Sequence, residues 1–288
     1  LMRTNILVDI QQGEGVTVLD PHGQLIDEII EHIPTGRTRD IIYFKPGDLE
    51  FVSSINILEK VALPYRPLVV SSIVTTFKNL FPNGWGQQSE YLLTNFCFAL
   101  IQQNQPKTLL DILKLITDRD YRKRIFENVD DAVLQGFYQT YDKDWTKEQR
   151  ARATAPILNK VSAFATNPLL RAVIGQPKSS FNFRDAMDSK KIILCDLSKG
   201  ALGEDVSSLL GSLIMTKLYL ASLSRQDTPE DERVRHHSFI DEVHNFSYGV
   251  DLSSILAEAR KYRLSLTVAT QTLAQLRRYN PEVLHSIF

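Results

Sequence analysis

Apolar positions along the chain follow two patterns, short runs typical of buried strands and the spacing typical of helices, and both occur in the first part of the chain. The run Val16-Thr17-Val18-Leu19 predicts a short buried strand, and residues 40–44 predict a second one. Helical spacing of apolar side chains predicts amphipathic helices over residues 1–11 and 24–32. Because short apolar strands alternate with amphipathic helices, we expect a mainly parallel sheet that is covered on both faces, which is an α/β fold.

The middle of the chain has a different pattern, since helical periodicity dominates and strand signals are nearly absent. Prolines at 82, 106 and 168 interrupt the helical pattern, and Thr146, followed by Glu148, is a loose N-terminal capping signal for the last long helix. The predicted helices are 68–80, 87–103, 108–116, 119–126, 130–141 and 147–165.

Strand signals return in the last part of the chain. Strands are predicted at 191–197, 238–240 and 265–269, and helices at 209–223 and 253–262. The simplest organisation is one α/β domain formed by residues 1–58 and 179–288, with an all-α domain, 59–178, inserted between them.

Composition changes this picture little but excludes several classes of protein. The chain has 288 residues, of which 43% are hydrophobic and 23% charged, so it is neither disordered nor fibrous. Lys and Arg number 33 against 34 Asp and Glu, so no overall basicity indicates nucleic-acid binding. Residues 59–179, however, carry 16 Lys and Arg against 11 Asp and Glu. The helical block is therefore mildly basic, and the sheet-forming part is acidic.

Two further features concern location. Cys97 and Cys195 lie in apolar surroundings far apart in the sequence, which indicates buried thiols in a reducing compartment. We take Tyr91–Ile101 as the longest mostly apolar stretch, and it is far shorter than the roughly 20 residues of a membrane span. Since the chain begins with Leu inside a helical pattern and stops in an apolar stretch, we expect it to be a fragment.

Polar side chains recur where the apolar strands stop. They are Asp20 and His22, Asp196 and Ser198, Asp241 and Glu242, and Gln271. In open parallel sheets, ligands bind outside the carboxyl ends of the strands, so we expect these side chains to converge on one crevice.

A strand followed by Asp-Glu suits the hydrolysis of a nucleoside triphosphate. Asp241 would hold Mg²⁺, directly or through a water, and Glu242 would orient and deprotonate the attacking water. Gln271 would hydrogen-bond the γ-phosphate or that water, and Arg260 would neutralise phosphoryl charge across a subunit interface. The alternatives are that an apolar strand ends in Asp-Glu by chance, and that Arg260 and Lys261 form a solvated helix end.

Other polar groups have less specific interpretations. Arg122-Lys123-Arg124 is typical of an exposed helix face, with a DNA contact as the alternative. Lys199 either contacts phosphate or DNA or lies in solvent. The histidines lack the H-E-x-x-H spacing of a zinc site.

One component of a nucleotide site is missing, since no G-x-x-x-x-G-K-[ST] phosphate loop occurs in the 288 residues. Nucleotide binding without the backbone N–H groups and the lysine of such a loop would be badly weakened.

Several short motifs share one order along the chain. They are Gly13-Glu14-Gly15, Leu19-Asp20-Pro21-His22-Gly23, Pro156-Ile157-Leu158-Asn159-Lys160, Asp196-Leu197-Ser198-Lys199-Gly200, Leu202-Gly203-Glu204, Ile240-Asp241-Glu242, Asn245-Phe246, Glu258-Ala259-Arg260-Lys261-Tyr262-Arg263 and Gln271. Together they resemble the HerA/FtsK superfamily, and the nearer match is to the type IV secretion coupling-protein ATPases of conjugation systems. The resemblance covers essentially the whole chain.

This resemblance implies a RecA-like P-loop NTPase core with an inserted all-α domain, and ATP and Mg²⁺ as cofactors. Asp241 and Glu242 look like the Walker B pair, Gln271 like the polar sensor, and Arg260 like the arginine finger that acts on a neighbour's nucleotide. Asp20 and His22 match a supporting turn near the nucleotide. The family's phosphate loop precedes a helix like 1–11, so the chain is expected to begin just after it and to be inactive alone.

The resemblance also implies partners and a location. We expect a homo-oligomeric ring, a hexamer, that translocates DNA without sequence specificity and meets secretion or relaxosome proteins. The expected location is cytoplasmic, at the cytoplasmic face of the inner membrane, with any membrane contact made by segments outside this chain. A protein-substrate secretion ATPase and a nucleotide-dead scaffold of the same fold are the alternatives.

Two positions depart from the family pattern. His236-His237 precede the strand before Asp241, where hydrophobic residues are more usual. Gln87 and Gln88 follow Trp85-Gly86, where relatives often have Pro and Arg. The first departure matters little if Ser238-Phe239-Ile240 forms the strand.

Overall fold

A computed structural model describes residues 1–48, 50–59, 61–81, 85–246, 252–272 and 274. The chain divides into two compact units, of which the first comprises Leu1–Phe51 together with Phe181–Phe288. The second comprises Val52–Ser180, and it is longer at both ends than the predicted insertion, 59–178.

The first unit contains a five-stranded sheet in which every pair of neighbours is parallel, in the order β2-β3-β1-β4-β5. The strands are β1 (Gly15–Asp20), β2 (Ile41–Phe44), β3 (Ile192–Asp196), β4 (His236–Ile240) and β5 (Leu264–Val268). All residues of β1 and β3 are buried, as expected for central strands covered on both faces.

Thirteen α-helices lie within the described residues. They are α1 (Met2–Gln11), α2 (Gln24–Ile30), α3 (Arg66–Leu80), α4 (Gln87–Ile101), α5 (Asp111–Thr117), α6 (Arg119–Glu127), α7 (Ala132–Gln139), α8 (Lys147–Thr166), α9 (Pro168–Ile174), α10 (Phe183–Asp188), α11 (Lys199–Leu202), α12 (Glu204–Ser224) and α13 (Leu252–Glu258). Helices α3 to α9 belong to the second unit.

The two faces of the sheet carry different layers. On one face, Ile6 and Ile10 of α1 and Ile26 and Ile29 of α2 form a core cluster with Val16, Val18, Ile192, Leu194 and Phe239 of the strands. On the other face, Met215 and Leu218 of α12 and Ile255 of α13 line a small cavity with Ile240 and Leu264 of the strands. Residues alternate between the faces along β4, because successive side chains of a strand point in opposite directions.

Local sequence signals set several helix ends. Thr146 caps α8 in a capping box, since its Oγ1 accepts from the Gln149 N–H at 3.2 Å while Gln149 Oε1 accepts from the Thr146 N–H at 2.8 Å. The reciprocal partner is thus Gln149 and not Glu148. Helix α8 ends at Thr166, just before the Asn167-Pro168 stop, and Pro168 is the first residue of α9, a position where its missing N–H costs nothing.

The structure corrects three other interpretations. Arg122, expected on an exposed helix face, is 6% exposed, and its guanidinium donates to the Leu115 carbonyl at 2.6 Å and to Asp142 Oδ1 at 3.0 Å. Both His236 and His237 lie within β4. The longest apolar helical stretch is Glu204–Asp227 and not Tyr91–Ile101.

The segment Glu204–Asp227 has the length and composition of a membrane-spanning helix, with a mean hydropathy of 1.4. However, 83% of its most apolar window is buried within the unit. The apolar surface of α12 is accounted for by packing against the sheet, as in the core helix of a globular domain.

Candidate active site

Three aspartates end adjacent strands at the carboxyl edge of the sheet. Asp20 is in register with Asp196 of β3, and the Asp241 N–H donates to the Leu19 carbonyl at 3.0 Å. Neighbouring strands are about 4.8 Å apart, so the three backbones lie side by side. Burial raises the pKa of Asp241, and the negative charges of Asp20 and Glu242 add to this effect. This edge therefore concentrates negative charge that no single strand would carry.

Two of these carboxylates hold loops. Asp20 is completely buried, and its two oxygens accept from the N–H groups of His22 at 2.7 Å and Ile26 at 3.2 Å. Asp196 accepts from the Ser198 N–H at 3.1 Å and pairs with Lys45 Nζ at 3.3 Å. His22, in contrast, is exposed. Asp20 thus fixes the turn that begins α2.

Gly23 in that turn has a backbone that other residues rarely adopt, with φ at +84°. A Cβ placed there would lie 3.0 Å from Asp196 Oδ1, so a side chain would crowd the carboxylate as well. The glycine therefore lets the turn after β1 approach the end of β3.

Glu242 has an unusual environment for a carboxylate. Its backbone is left-handed, with φ +46° and ψ +53°, and only 7% of the residue is exposed. Among the residues that the structure describes, none makes a hydrogen bond to its Oε2. His244 Nδ1 lies 3.2 Å from Glu242 Oε2, and burial lowers the pKa of His244, which favours the neutral imidazole. A buried acceptor is therefore left open beside Asp241.

The chain after β5 is bonded to the turn that carries Glu242. The Ala269 N–H donates to the Ile240 carbonyl and the Val243 N–H donates to the Ala269 carbonyl, each at 2.9 Å. Gln271 follows two residues later and is exposed. The structure thus brings the segments of Asp20, Asp241, Glu242 and Gln271 to one edge of the sheet.

Arg260 lies elsewhere. It is an exposed residue of the short 3₁₀ helix Ala259–Tyr262, which precedes β5 and so lies at the amino edge of the sheet. The five residues of β5 span about 17 Å at 3.3 Å each, so Arg260 is far from Glu242 within one chain. Arginines hold its segment, since Arg225 Nη1 donates to the Tyr262 carbonyl at 3.0 Å and Arg233 Nη1 donates to the Lys261 carbonyl.

Two polar contacts near the site were not predicted. Lys45 directly follows the last apolar residue of β2 and pairs with Asp196. A search for polar side chains after β2, as was made after the other strands, would have identified Lys45 as a candidate. Lys199 Nζ donates to Asn245 Oδ1 at 2.8 Å, three residues beyond Glu242.

The two histidines of β4 have partners from elements distant in the chain. His236 is completely buried and contacts Thr17 Oγ1 at 2.8 Å, and burial lowers its pKa to about 3. His237 contacts Asp9 Oδ2 of α1 at 2.7 Å and Thr267 Oγ1 of β5 at 2.8 Å. No local signal in the sequence indicates these partners.

A family model described as type IV secretory system conjugative DNA transfer matches residues 4–286. The chain belongs to this family. The predicted resemblance to coupling-protein ATPases is thereby confirmed at the level of the family. Among curated protein sequences none matches the chain.

Solved structures resemble this family member over its whole length. The unbound bacterial conjugative coupling protein TrwB, in a deltaN70 form, aligns with a TM-score of 0.64 at 16% identity, covering 100% of this chain and 62% of that one. TrwB in complex with ADP and Mg²⁺ aligns at 0.63 and 14%, covering 100% and 64%. VirB4 of Thermoanaerobacter pseudethanolicus aligns at 0.57 and 17%, covering 99% and 68%.

These likenesses show a shared fold, and the predicted α/β class with a RecA-like core is confirmed by them together with the all-parallel sheet. The chain spans less than two thirds of the TrwB chains that it matches.

Proposed function

We propose that this chain is part of an ATP-driven motor that moves DNA in a conjugation or type IV secretion system. The observation that carries the proposal is the buried Glu242 carboxylate, which lacks a hydrogen bond to Oε2 and stands next to Asp241 at the carboxyl edge of a parallel sheet. A buried acceptor without a partner costs free energy unless a ligand or water fills the position. Active sites are where such a cost is maintained.

The cofactors ATP and Mg²⁺ are part of the proposal. TrwB has been solved with ADP and Mg²⁺ and with the non-hydrolysable ATP analogue ADPNP. Mg²⁺ in such sites is held by one or two carboxylates together with substrate phosphates, and it neutralises negative charge on the phosphates when bound. Asp241, a half-buried carboxylate at a strand end, fits this ligand type.

The residues of this chain divide the chemistry between them. Asp241 supports the Mg²⁺–nucleotide complex, and Glu242 orients the attacking water and accepts its proton. Gln271 follows the segment bonded to the Glu242 turn, so its amide serves as a polar sensor of the γ-phosphate. Asp20 holds the turn that carries His22. Both residues help to position the nucleotide and take no part in proton transfer.

Arg260 takes part from a neighbouring subunit in this proposal. Its place at the amino edge keeps it away from the Glu242 of its own chain, and its exposure leaves it available to another copy. A guanidinium supplied in trans neutralises charge on the transferred phosphoryl group. This arrangement requires a second copy of the chain, and we propose that the copies form a hexameric ring at the cytoplasmic face of the inner membrane.

The test is Glu242→Gln in the full-length protein, because glutamine keeps the shape of the side chain and removes the base. ATP turnover is expected to fall at least about 100-fold, as for the loss of a general base, while ATP binding is retained. The matched control is Glu31→Gln, an exposed position at the end of α2, which is expected to leave turnover unchanged.

Turnover is measured as phosphate release with and without DNA, and binding with a fluorescent ATP analogue. Unchanged hydrolysis in Glu242→Gln would remove this residue from the mechanism. If the unaltered full-length protein binds no ATP at all, the chain is a scaffold of the same fold.

A further inference from the structure

The short 3₁₀ helix that carries Arg260, Ala259–Tyr262, ends in a constrained turn. Arg263 follows it with a left-handed backbone, φ +58° and ψ +29°, which a residue with a side chain rarely adopts. Its N–H donates to the Arg260 carbonyl at 3.1 Å, and its carbonyl accepts from the N–H of His236 in β4 at 2.9 Å. Backbone strain of this kind persists only where the surrounding structure imposes it, and it is concentrated at functional sites.

Arginine side chains hold the two carbonyls that lie between these backbone hydrogen bonds. Arg233 Nη1 donates to the Lys261 carbonyl, and Arg225 Nη1 donates to the Tyr262 carbonyl at 3.0 Å. The guanidinium of Arg233 also lies 5.4 Å from the centroid of the Tyr262 ring. Every carbonyl of residues 260–263 therefore accepts a hydrogen bond, although the last carbonyls of a helix have no partner within the helix itself.

The two arginines are themselves fixed by further hydrogen bonds. Arg225 is completely buried, and it donates to Asp188 Oδ1 at 2.8 Å and to the Val234 carbonyl at 2.9 Å. Arg233 Nε donates to the carbonyls of Arg225 at 3.0 Å and of Thr228 at 2.9 Å. One planar guanidinium with several donors thus joins the loop between α12 and β4 to the segment that carries the exposed arginine.

The side chain of Arg260, in contrast, is exposed. Its guanidinium reaches a neighbouring copy only from the place where its backbone stands, so the contact depends on how well that backbone is fixed. A group that acts on a reacting phosphate is sensitive to such placement, because a shift of about 1 Å can cost about 100-fold in rate.

We propose that Arg233 is a positioning residue for Arg260. By holding the Lys261 carbonyl, it presents the Arg260 guanidinium to the nucleotide site of a neighbouring copy. The inference rests on the proposed function, in which Arg260 acts in trans, and it adds that the loop between α12 and β4 sets the geometry of that contact. Arg225 supports the same segment from the interior, but replacing a completely buried arginine would also weaken the fold. Arg233 is half-buried and is therefore the residue to test.

The test is Arg233→Ala in the full-length protein, with two matched controls. Arg37→Ala removes another half-buried arginine of the same unit, which also donates to three backbone carbonyls but lies in the segment before β2. Arg235→Ala removes an exposed positive charge two residues further along the same loop as Arg233. The first control matches the loss of hydrogen bonds to carbonyls, and the second matches the loss of charge.

ATP turnover is measured as phosphate release over a range of protein concentrations, which isolates the rate that depends on assembly. Arg233→Ala is expected to lower that rate about 100-fold, as for a misplaced catalytic group, while the affinity of the monomer for a fluorescent ATP analogue stays unchanged. Both controls should keep the rate of the unaltered protein. An equal loss in either control, or an unchanged rate in Arg233→Ala, overturns the proposal.

Mixed assemblies distinguish a misplaced arginine from a damaged fold. Copies with Arg233→Ala retain Glu242, and copies with Glu242→Gln retain a correctly held Arg260. When the two variants are co-expressed in equal amounts and purified together, about one quarter of the sites combine both intact parts, so turnover should recover to about a quarter of the unaltered rate. The absence of any recovery would mean that Arg233→Ala damages its own site, and the positioning role would be rejected.

Hydrogen–deuterium exchange reports on the segment directly and needs no ATP. Peptides that contain residues 259–263 should take up deuterium faster in Arg233→Ala than in Arg37→Ala, because only the first variant releases a carbonyl of this segment. Equal uptake in the two variants contradicts the proposal, since the segment would then be fixed without Arg233.

Arg260→Ala separates the failure of this inference from the failure of the proposed function. If Arg260→Ala lowers the assembly-dependent turnover and Arg233→Ala does not, the positioning role is wrong and the role of Arg260 in trans stands. If Arg260→Ala leaves turnover unchanged, both are wrong. Loss of the assembly-dependent rate in both variants, with recovery in the mixed assemblies, supports the positioning role.

Discussion

Glu242 shows at the scale of one residue how the fold maintains a conformation that the residue alone would not adopt. A left-handed backbone costs a non-glycine residue on the order of 1–3 kcal/mol. Hydrogen bonds on both sides impose it, since the Asp241 N–H is bonded to Leu19 and the Val243 N–H to Ala269. Glu242 therefore combines a strained backbone with a carboxylate oxygen, Oε2, that accepts no hydrogen bond from the described residues.

Asp20 and His22 are both proposed to support the nucleotide, but their surroundings predict different effects on stability. Asp20→Ala is expected to lower the free energy of unfolding by about 1–3 kcal/mol, because two N–H groups lose their buried acceptor. His22→Ala should change it by no more than about 0.5 kcal/mol, because the side chain is exposed. Urea denaturation followed by circular dichroism measures both, and a neutral Asp20→Ala contradicts the role of this carboxylate in the turn.

At the scale of the element, helix α12 fixes the segment that follows Glu242. Gly211 of α12 lies against the ring of Phe246, and a Cβ there would meet Phe246 Cδ1 at 2.1 Å. The next residue, Ser212, donates its hydroxyl to the Phe246 carbonyl at 2.9 Å. The helix thus holds Phe246, after the turn that follows β4, through a close approach to its ring and a hydrogen bond to its carbonyl.

Gly211→Ala tests this contact, with Gly136→Ala as its control. The first is expected to destabilise the protein by about 1–3 kcal/mol through overpacking against Phe246. The second lies at an exposed position of α7 where an added Cβ meets nothing within 4 Å, so it should stabilise the protein by about 0.5–1 kcal/mol. Thermal unfolding measures both changes in stability, which are expected to have opposite signs. A neutral or stabilising Gly211→Ala means that the Phe246 ring moves aside at little cost.

At the scale of the whole molecule, the residues of the proposed site lie at both edges of the sheet. Asp241 and Glu242 lie at the carboxyl edge, and Arg260 lies at the amino edge. A single chain therefore does not place Arg260 near its own Asp241 and Glu242. If Arg260 contributes to hydrolysis, activity depends on a second copy, and this dependence is measurable as a rise of specific activity with protein concentration.

Arg260→Ala in the full-length protein is expected to abolish that rise. The assembly-dependent rate should fall about 1,000-fold, the lower range for an arginine supplied in trans, while the monomer keeps its affinity for nucleotide. The neighbouring exposed cation provides the control, because Lys261→Ala removes the same charge one residue away. Hydrolysis by an isolated monomer at the rate of the assembly, or an equal loss in Lys261→Ala, contradicts the role in trans.

The local pattern of the sequence was sufficient for the class of fold, the strands and most of the helices. The ends of four of the five strands lie within one residue of their predicted positions. Apolar runs such as Val16–Leu19 can be recognised in the sequence without knowing which strands pair with them. The helix after Thr146 begins at the predicted residue because a capping signal is local. The sequence also predicted that Asp20, Asp241 and Glu242 lie at the same edge of the sheet, because they follow strands that run in the same direction.

What the sequence by itself determined, then, is the position of the strands and of the longer helices, and which side chains follow the strands, whereas the short helices α9, α10 and α11 were not predicted. Tertiary structure alone decided that Arg122 is buried, that β4 includes two histidines bonded to Thr17, Asp9 and Thr267, and that Arg260 is separated from Glu242. The physical reason is the range of the interactions. Periodicity and capping act over a few residues, whereas the partner that makes a polar side chain stable in the interior comes from any distance along the chain.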